Sequence, residues 1–392
     1  MTVTTSNTVT FTVTEFPTPA AGYFSDISLN LPSAVDPCPG GDCVYSGVQR
    51  QSAAFTVWTS GIFAPECGSL GSVIHWGGGH NAYAGNEVYR FDLATRLWSR
   101  LGNPSLYSDS PGNISSSGAF PDGKPAPPHS YQTLGILPSS AGGGTQGSLI
   151  QATLPAVDSS ANGRFAAWWK FNLATATWSQ FIDSSSIPDG TLTSKLMVQE
   201  PNGNMWWLGG GWVPEIRRVT LGGSITSYGV WSNIDDSAGN CGGVVPSTRT
   251  MVTWGSSNGT TRLRIFNLAS IEAGQTAEGT AWKHVTPSGS GPASGTGMQW
   301  CPTLNRFAAK LSTSSAAIYW LTPSNPSDPW NSTWAWSTET LTAVGGATPQ
   351  TVYDGSGYNG SYNRFVWCPS VNCFIWAAGN TKPVQAFRPA GT

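Results

Sequence analysis

The chain has 392 residues, of which only 10% are charged, with a formal net charge of -2, 19 tryptophans and 47 glycines. No basic run is present to neutralise phosphates, so a nucleic-acid partner is excluded, and no apolar run reaches the length of a membrane span, so membrane insertion is not expected. Aromatics make up 11% of the residues and are spread along the whole chain, which argues against disorder; with so many glycines, serines and threonines the composition fits short strands joined by turns.

The first residues, MTVTTSNTVTFTVTEF, alternate Val or Phe with Thr. That is a strand pattern, not the charged start and apolar core of a signal peptide, so the expectation is either a chain not exported by a cleaved signal or a mature or recombinant form. Residues 1–43 read as an N-terminal strand segment with a lead-in loop. Cys38 and Cys43 bound the loop CPGGDC, where a disulfide fits, while the other five cysteines are far apart in sequence. Seven cysteines leave at least one unpaired within the chain, and without a C-x-x-C pair or a Cys/His cluster no metal site and no cofactor are expected.

From residue 44 to residue 392 the chain reads as one domain of repeated hairpins. In VIHWGGGH, Gly77, Gly78 and Gly79 follow an apolar strand. A phosphate cradle would need a helix N-terminus and a following Lys-Ser/Thr; neither is present, so the glycines are read as a close-packed turn with positive φ. FDLATRLWSRL at Phe91–Leu101 returns as FNLATATWSQF at Phe171–Phe181 and, shortened, as IFNLAS at Ile265–Ser270. WCPTLNRFAAKL from Trp300 returns as WCPSVNCFIWAAG from Trp367, with relatives from Phe63 and Val198. Joined, the two patterns make a four-stranded unit whose third strands fall near Leu93, Leu173, Leu221, Leu268, Leu321 and Phe387, close to a period of about 50 residues.

Gly-Gly after the second strand, Tyr89 on the third and Trp98 opening the fourth resemble the kelch repeat. The stretch from Val44 to Pro389 is similar to the β-propellers of kelch and galactose-oxidase-like proteins. The fold expected is therefore an all-β, kelch-like β-propeller of six four-stranded blades. The last blade shows only three strands, around Phe365, Phe374 and Ala386, and Val9–Phe16 is expected to close the ring as the fourth. If YFSDISLNL also forms blade strands, seven blades is the alternative.

The resemblance implies a test for copper chemistry, since the family contains a copper oxidase whose site needs two tyrosines, two histidines and a Cys-Tyr crosslink. Of four histidines, His75 lies in an apolar strand and His284 in an outer-strand pattern, leaving His80 and His129, both in early blades. No G-x-S-x-G elbow and no H-E-x-x-H occurs, and Asp235 with Asp236 lack EF-hand spacing, so the chain is read as non-enzymatic. The candidate ligand-binding residues are His80, Asn81, Tyr83, His129 and Tyr131, a polar set at one end of the ring, and Trp212 and Trp330, loop tryptophans placed beside Asn and Ser as for stacking on a sugar. Low charge, hydroxyl-rich strands, the missing signal peptide and the Thr/Val-rich N-terminal strand together resemble bacteriophage structural proteins, and that resemblance implies a virion surface component, a fibre, tail or capsid decoration, that contacts host glycan or another virion subunit. A secreted microbial or fungal lectin or carbohydrate-active enzyme is the alternative, with sequons at Asn113, Asn258, Asn331 and Asn359. The expected location is accordingly virion or extracellular.

Overall fold

In a computed structural model the described residues are 15–38, 51, 53–56, 59–78, 85–106, 114–115, 117–128, 130–151, 167–183, 194–209, 215–230, 241–257, 260–292, 296–311, 313–352 and 361–392. Strand β1 is Tyr23–Asp26. Blade 1 comprises β2 (Ser60–Ala64), β3 (Ser72–Trp76), β4 (Val88–Asp92) and β5 (Leu97–Leu101); blade 2 comprises β6 (Leu134–Leu137), β7 (Ser148–Gln151), β8 (Trp168–Asn172) and β9 (Thr177–Ile182). Blade 3 comprises β10 (Ser194–Gln199), β11 (Met205–Gly209), β12 (Glu215–Val219) and β13 (Ile225–Val230). Blade 4 comprises β14 (Cys241–Val245), β15 (Thr250–Ser257), β16 (Thr260–Asn267) and β17 (Trp282–Val285). Blade 5 comprises β18 (Gly297–Cys301), β19 (Arg306–Lys310), β20 (Ala317–Pro323) and β21 (Trp334–Thr340). The short β22 (Thr342–Ala343) precedes blade 6, whose chain-order strands are β23 (Phe365–Cys368), β24 (Cys373–Trp376) and β25 (Gln385–Arg388). Third strands thus lie at or just before all six expected anchors.

Period-2 alternation makes every blade apolar on both faces, so no blade is stable alone. On β16, Ile265 packs with Phe307 and Leu321 of blade 5, whereas the next residue, Phe266, packs with Trp206 and Ile216 of blade 3. Six such cores occur, one at each junction between neighbouring blades, including Val73, Tyr89 and Phe91 of blade 1 against Val366 and Ile375 of blade 6. The first strands β2, β6, β10, β14, β18 and β23 touch in a closed circle around the axis. These observations fix six blades, not seven.

The ring is closed from the N-terminus, but by a different segment from the one expected. β1 pairs antiparallel with β25, Phe24 opposite Phe387, and the two rings stack at 5.0 Å. YFSD is therefore the fourth strand of blade 6 and starts no seventh blade. Of the expected strand Val9–Phe16, residues 9–14 lie outside the described residues, and Glu15 and Phe16 are not in a strand, Phe16 being buried in the blade 1–blade 6 core. The shift has a physical basis: Phe24 and Ile27 supply side chains for the two cores flanking blade 6. The edges are then covered. β22 adds to β1 in parallel, and Asn30 exchanges hydrogen bonds with the Trp98 backbone, donating to its carbonyl at 3.1 Å and accepting from its N–H at 2.7 Å.

The sequence repeats are the turns. Asp92 and Asn172 each accept backbone N–H bonds within the third-to-fourth-strand hairpin, and Arg96 and Ala176 adopt φ of 59° and 54° at matching positions. In the first hairpin a proline follows or nearly follows the first strand in all six blades, at Pro65, Pro138, Pro201, Pro246, Pro302 and Pro369. Cys38 is disulfide-bonded, its expected partner Cys43 lying outside the described residues, and Cys67, Cys241, Cys301, Cys368 and Cys373 are free and buried.

Candidate functional site

Antiparallel blades give the ring two distinct ends. At one, first strands begin and second strands end; at the other lie the proline turns. Gly77 and Gly78 stand at the first end with φ of 123° and 106°, and a Cβ on Gly77 would come within 2.5 Å of Ser130 Oγ in blade 2. The Gly-Gly turn is therefore a close approach between blades, as the sequence suggested. His80, Asn81 and Tyr83 follow it but lie outside the described residues, as do His129 and Trp212.

Tyr131 is described, and it belongs to a duplicated device. Among the described residues seven non-glycines have positive φ, and five of them sit in tight hairpins. The other two are Tyr131 and Tyr362, both at 36°. Each is the second residue of a four-residue turn closed by a backbone bond, Thr133 N–H to Ser130 O at 2.8 Å and Arg364 N–H to Ser361 O at 2.9 Å. That position normally takes Gly, Asn or Asp when φ is positive, so a tyrosine there is strained, and such strain concentrates at working sites.

The flanking serines hold both turns in the same way. Ser130 Oγ donates to Trp76 O at 2.8 Å and accepts from Ser60 N–H at 2.9 Å, tying blade 2 to blade 1. Ser361 Oγ donates to Lys310 O at 2.5 Å and accepts from Gly297 N–H at 3.1 Å, tying blade 6 to blade 5. A Cβ at Gly297 would lie 1.3 Å from the Tyr362 carbonyl oxygen, so only glycine fits. The two tyrosines reach past blade 1 and meet edge to face, with ring centroids 5.4 Å apart at 74°. Tyr131 is half-buried and Tyr362 buried. Burial, reinforced by the neighbouring Tyr131, pushes the Tyr362 phenol far up, against the opposing effect of Arg364. The Tyr362 phenol therefore stays neutral at physiological pH and presents a hydroxyl, not a charge.

Amides follow each tyrosine. Gln132 Nε2 donates to Gly242 O at 2.6 Å and its Oε1 accepts from Gly242 N–H at 3.1 Å, a two-point bridge from blade 2 across to blade 4. Asn363 Oδ1 accepts from Gln299 Nε2 of blade 5. His75 is fully buried between Phe55 and Trp98, and both its ring nitrogens lack a hydrogen-bond partner among the described residues. Burial, with a smaller push from the Arg364 guanidinium, lowers its pKa to about 3. It is neutral imidazole in an aromatic cage.

Of the other expected residues only Trp330 is described, and it does not join this site. Trp330 lies in the turn between β20 and β21, at the proline end of the ring, where Lys283 Nζ of blade 4 stands 4.7 Å from its ring centroid. Asn86, close to His80 in sequence, is a buried tie whose side chain donates to Ser105 Oγ at 2.8 Å and Pro125 O at 2.9 Å. The insertion it anchors carries its own small core of Ile114, Phe120 and Ala126. Tyr362 escaped the sequence reading, although Ser-Tyr-Gln at Ser130–Gln132 recurs as Ser-Tyr-Asn at Ser361–Asn363 and was the available signal.

No family model matches the chain, and no curated protein sequence matches it. Among solved structures it is similar to the major Malassezia sympodialis allergen Mala s 1, at 12% identity over 86% of this chain and 93% of that one, TM-score 0.42. It is also similar to YjhT, at 11% identity over 72% and 84%, TM-score 0.39. A fungal alcohol oxidase of the AA5 family in complex with copper matches at 12% identity over 56% of this chain and 43% of that one, TM-score 0.35. Likeness at this level carries no argument about activity. The chain's own strand pairing and inter-blade cores identify it as a six-bladed β-propeller.

Proposed function

We propose that this propeller is a binding module, not an enzyme, and that it takes an uncharged, hydroxyl-rich partner, a surface glycan, at the end of the ring where Tyr131 and Tyr362 meet. The observation that carries the reading is the duplicated Ser-Tyr turn, which holds two bulky aromatics in left-handed backbone at one mouth of the channel. A half-buried tyrosine ring offers a stacking face and a hydroxyl, the combination suited to a sugar ring with its polar edge. In keeping with the low charge of the whole chain, we place the protein on a virion surface, with a host glycan as partner and a neighbouring virion subunit as the competing occupant.

The test is binding to an array of neutral and acidic glycans by the parent, Tyr131→Phe and Tyr131→Ala. Removing the stacking face is expected to weaken glycan binding by about tenfold, with the Phe variant close to the parent. A folded Ala variant that binds as tightly as the parent rejects this mouth. Capture of a virion subunit with no glycan bound assigns the face to assembly instead. Intact mass settles the source: hexose additions at sequons such as Asn331 would replace the virion setting with secretion from a eukaryote.

A further inference from the structure

The proline end of the channel opens into a chamber of about 330 Å³ lined from all six blades. Its inner limit is the layer of amide bridges already described, Gln132 to Gly242 and Gln299 to Asn363, so the chamber is separated from the tyrosine mouth. Its rim carries Pro201, Pro246, Pro302 and Pro369, and Phe63, Trp300 and Trp367 occupy the same register in consecutive blades, two residues before the turn proline. Gly242 and Gly243 of β14 also line the chamber; a Cβ on either would run into packed neighbours, 2.7 Å from Val252 O and 2.7 Å from Phe307 Cε1. Met197 and Met298 complete the wall with adaptable thioethers.

Among the described residues that line it, none is charged. The amides that line the chamber are engaged with one another or with backbone. Gln199 bonds Ile136 both ways, accepting its N–H at 3.0 Å and donating to its carbonyl at 2.7 Å. The N–H of Met197 donates to Gln132 O at 2.6 Å. A sugar would find the Gln132 and Gln199 amides already taken, with Gln299 Oε1 and Asn363 Nδ2 the lining amide atoms left unbonded among the described residues, and an ion would find no counter-charge there. An apolar ring meets aromatic faces, proline rings and methyl groups, the lining of a small-molecule site.

We infer that this chamber is a second binding site, for one uncharged, largely apolar ring compound, independent of the tyrosine mouth. The test uses N-phenyl-1-naphthylamine, a neutral aromatic probe, with the intact protein. Its fluorescence is expected to rise on binding at one molecule per chain. With methionine methyls carbon-13 labelled, the Met197 and Met298 resonances shift while that of Met251, packed between blades 3 and 4, stays. Ile62→Trp, which fills the chamber from β2, lowers probe affinity at least tenfold, whereas Tyr131→Ala leaves it unchanged. Two outcomes overturn the inference: no saturable binding by the parent, or probe binding that shifts neither of the two chamber methionines. If Ile62→Trp does not fold, the methionine shifts of the parent decide alone. Probe binding that fails while the glycan experiment succeeds removes the chamber and leaves the mouth standing, and the reverse result does the opposite.

Discussion

Replacing His75 by Leu should make the propeller resistant to mild acid. In the folded chain the imidazole is fully buried, caged by Phe55 and Trp98, and takes up a proton only near a pKa of about 3. Unfolded, it titrates near 6.5. Between these two values the unfolded chain holds one more proton than the folded one, so folded stability rises with pH there and is lost as the pH falls. At 1.36 kcal/mol per pKa unit, moving from about pH 7 to about pH 4 costs about 3 kcal/mol through this one residue. That is a sizeable part of the roughly 5–15 kcal/mol that holds a typical domain together. Urea unfolding followed by tryptophan fluorescence at a series of pH values gives the stability curves of the parent and the variant. Carboxylates that protonate in the same range act on both proteins and cancel in the difference. The curves should diverge towards acid, the variant gaining about 3 kcal/mol on the parent by about pH 4. Curves that stay parallel would show that His75 is hydrated or partnered in solution and would refute the reasoning.

Lys310 reports the opposite limb: 1% exposed and bonded to Ser315 O, it has a pKa lowered by burial from 10.5 to about 8. The unfolded lysine keeps its proton up to the higher value, so stability should climb by about 3 kcal/mol between about pH 8 and pH 10.5, and Lys310→Met should abolish that climb while raising the melting temperature at neutral pH. A variant that keeps the alkaline rise places its origin elsewhere. Gly297→Ala should prevent folding or reduce it to trace soluble yield, because its Cβ would fall on the Tyr362 carbonyl; a soluble variant with the parent's melting point means that the serine-tied turn is not formed as described.

The repeated hairpins were legible because their signals are local. Pro-x-x-Asn, Asp or Asn opening an Asx turn, and Trp at the start of a fourth strand each act within a few residues, and they located the hairpins correctly. The closing strand was misassigned because Val9–Phe16 alternates whereas Tyr23–Asp26, Tyr-Phe-Ser-Asp, does not, and alternation does not say which segment delivers Phe24 to the Phe387 ring. The candidate site was legible only at Tyr131. Its partner Tyr362 is 231 positions away (362 minus 131), and Gln132 meets Gly242 across 110 positions. A side chain that ties two blades needs only one acceptor on a distant strand, which imposes no period on the sequence. Two recurrences were nevertheless present, Ser-Tyr-Gln/Asn and the proline after each first strand, and both mark positions that the ring uses repeatedly. The loop tryptophan Trp330 shows the converse: a Trp beside Asn and Ser looks exposed in sequence, yet it is partly buried against the core between blades 4 and 5, with Lys283 of blade 4 over its ring.

Two N-terminal deletions compared by melting temperature and light scattering test ring closure most directly. Removing residues 1–17 leaves β1 intact and, among the described residues, takes only Phe16 from the blade 1–blade 6 core, so the protein should stay folded with a modestly lower melting point. Removing residues 1–28 strips the fourth strand from blade 6, exposes the edge of β25 and unpairs Phe387, and should give a protein that aggregates or loses its cooperative transition, with recovery on adding a synthetic peptide of residues 18–36. If the longer deletion melts as a monomer at the parent's temperature, the ring is not closed by Tyr23–Asp26, and the six-bladed account of this chain is wrong at its seam.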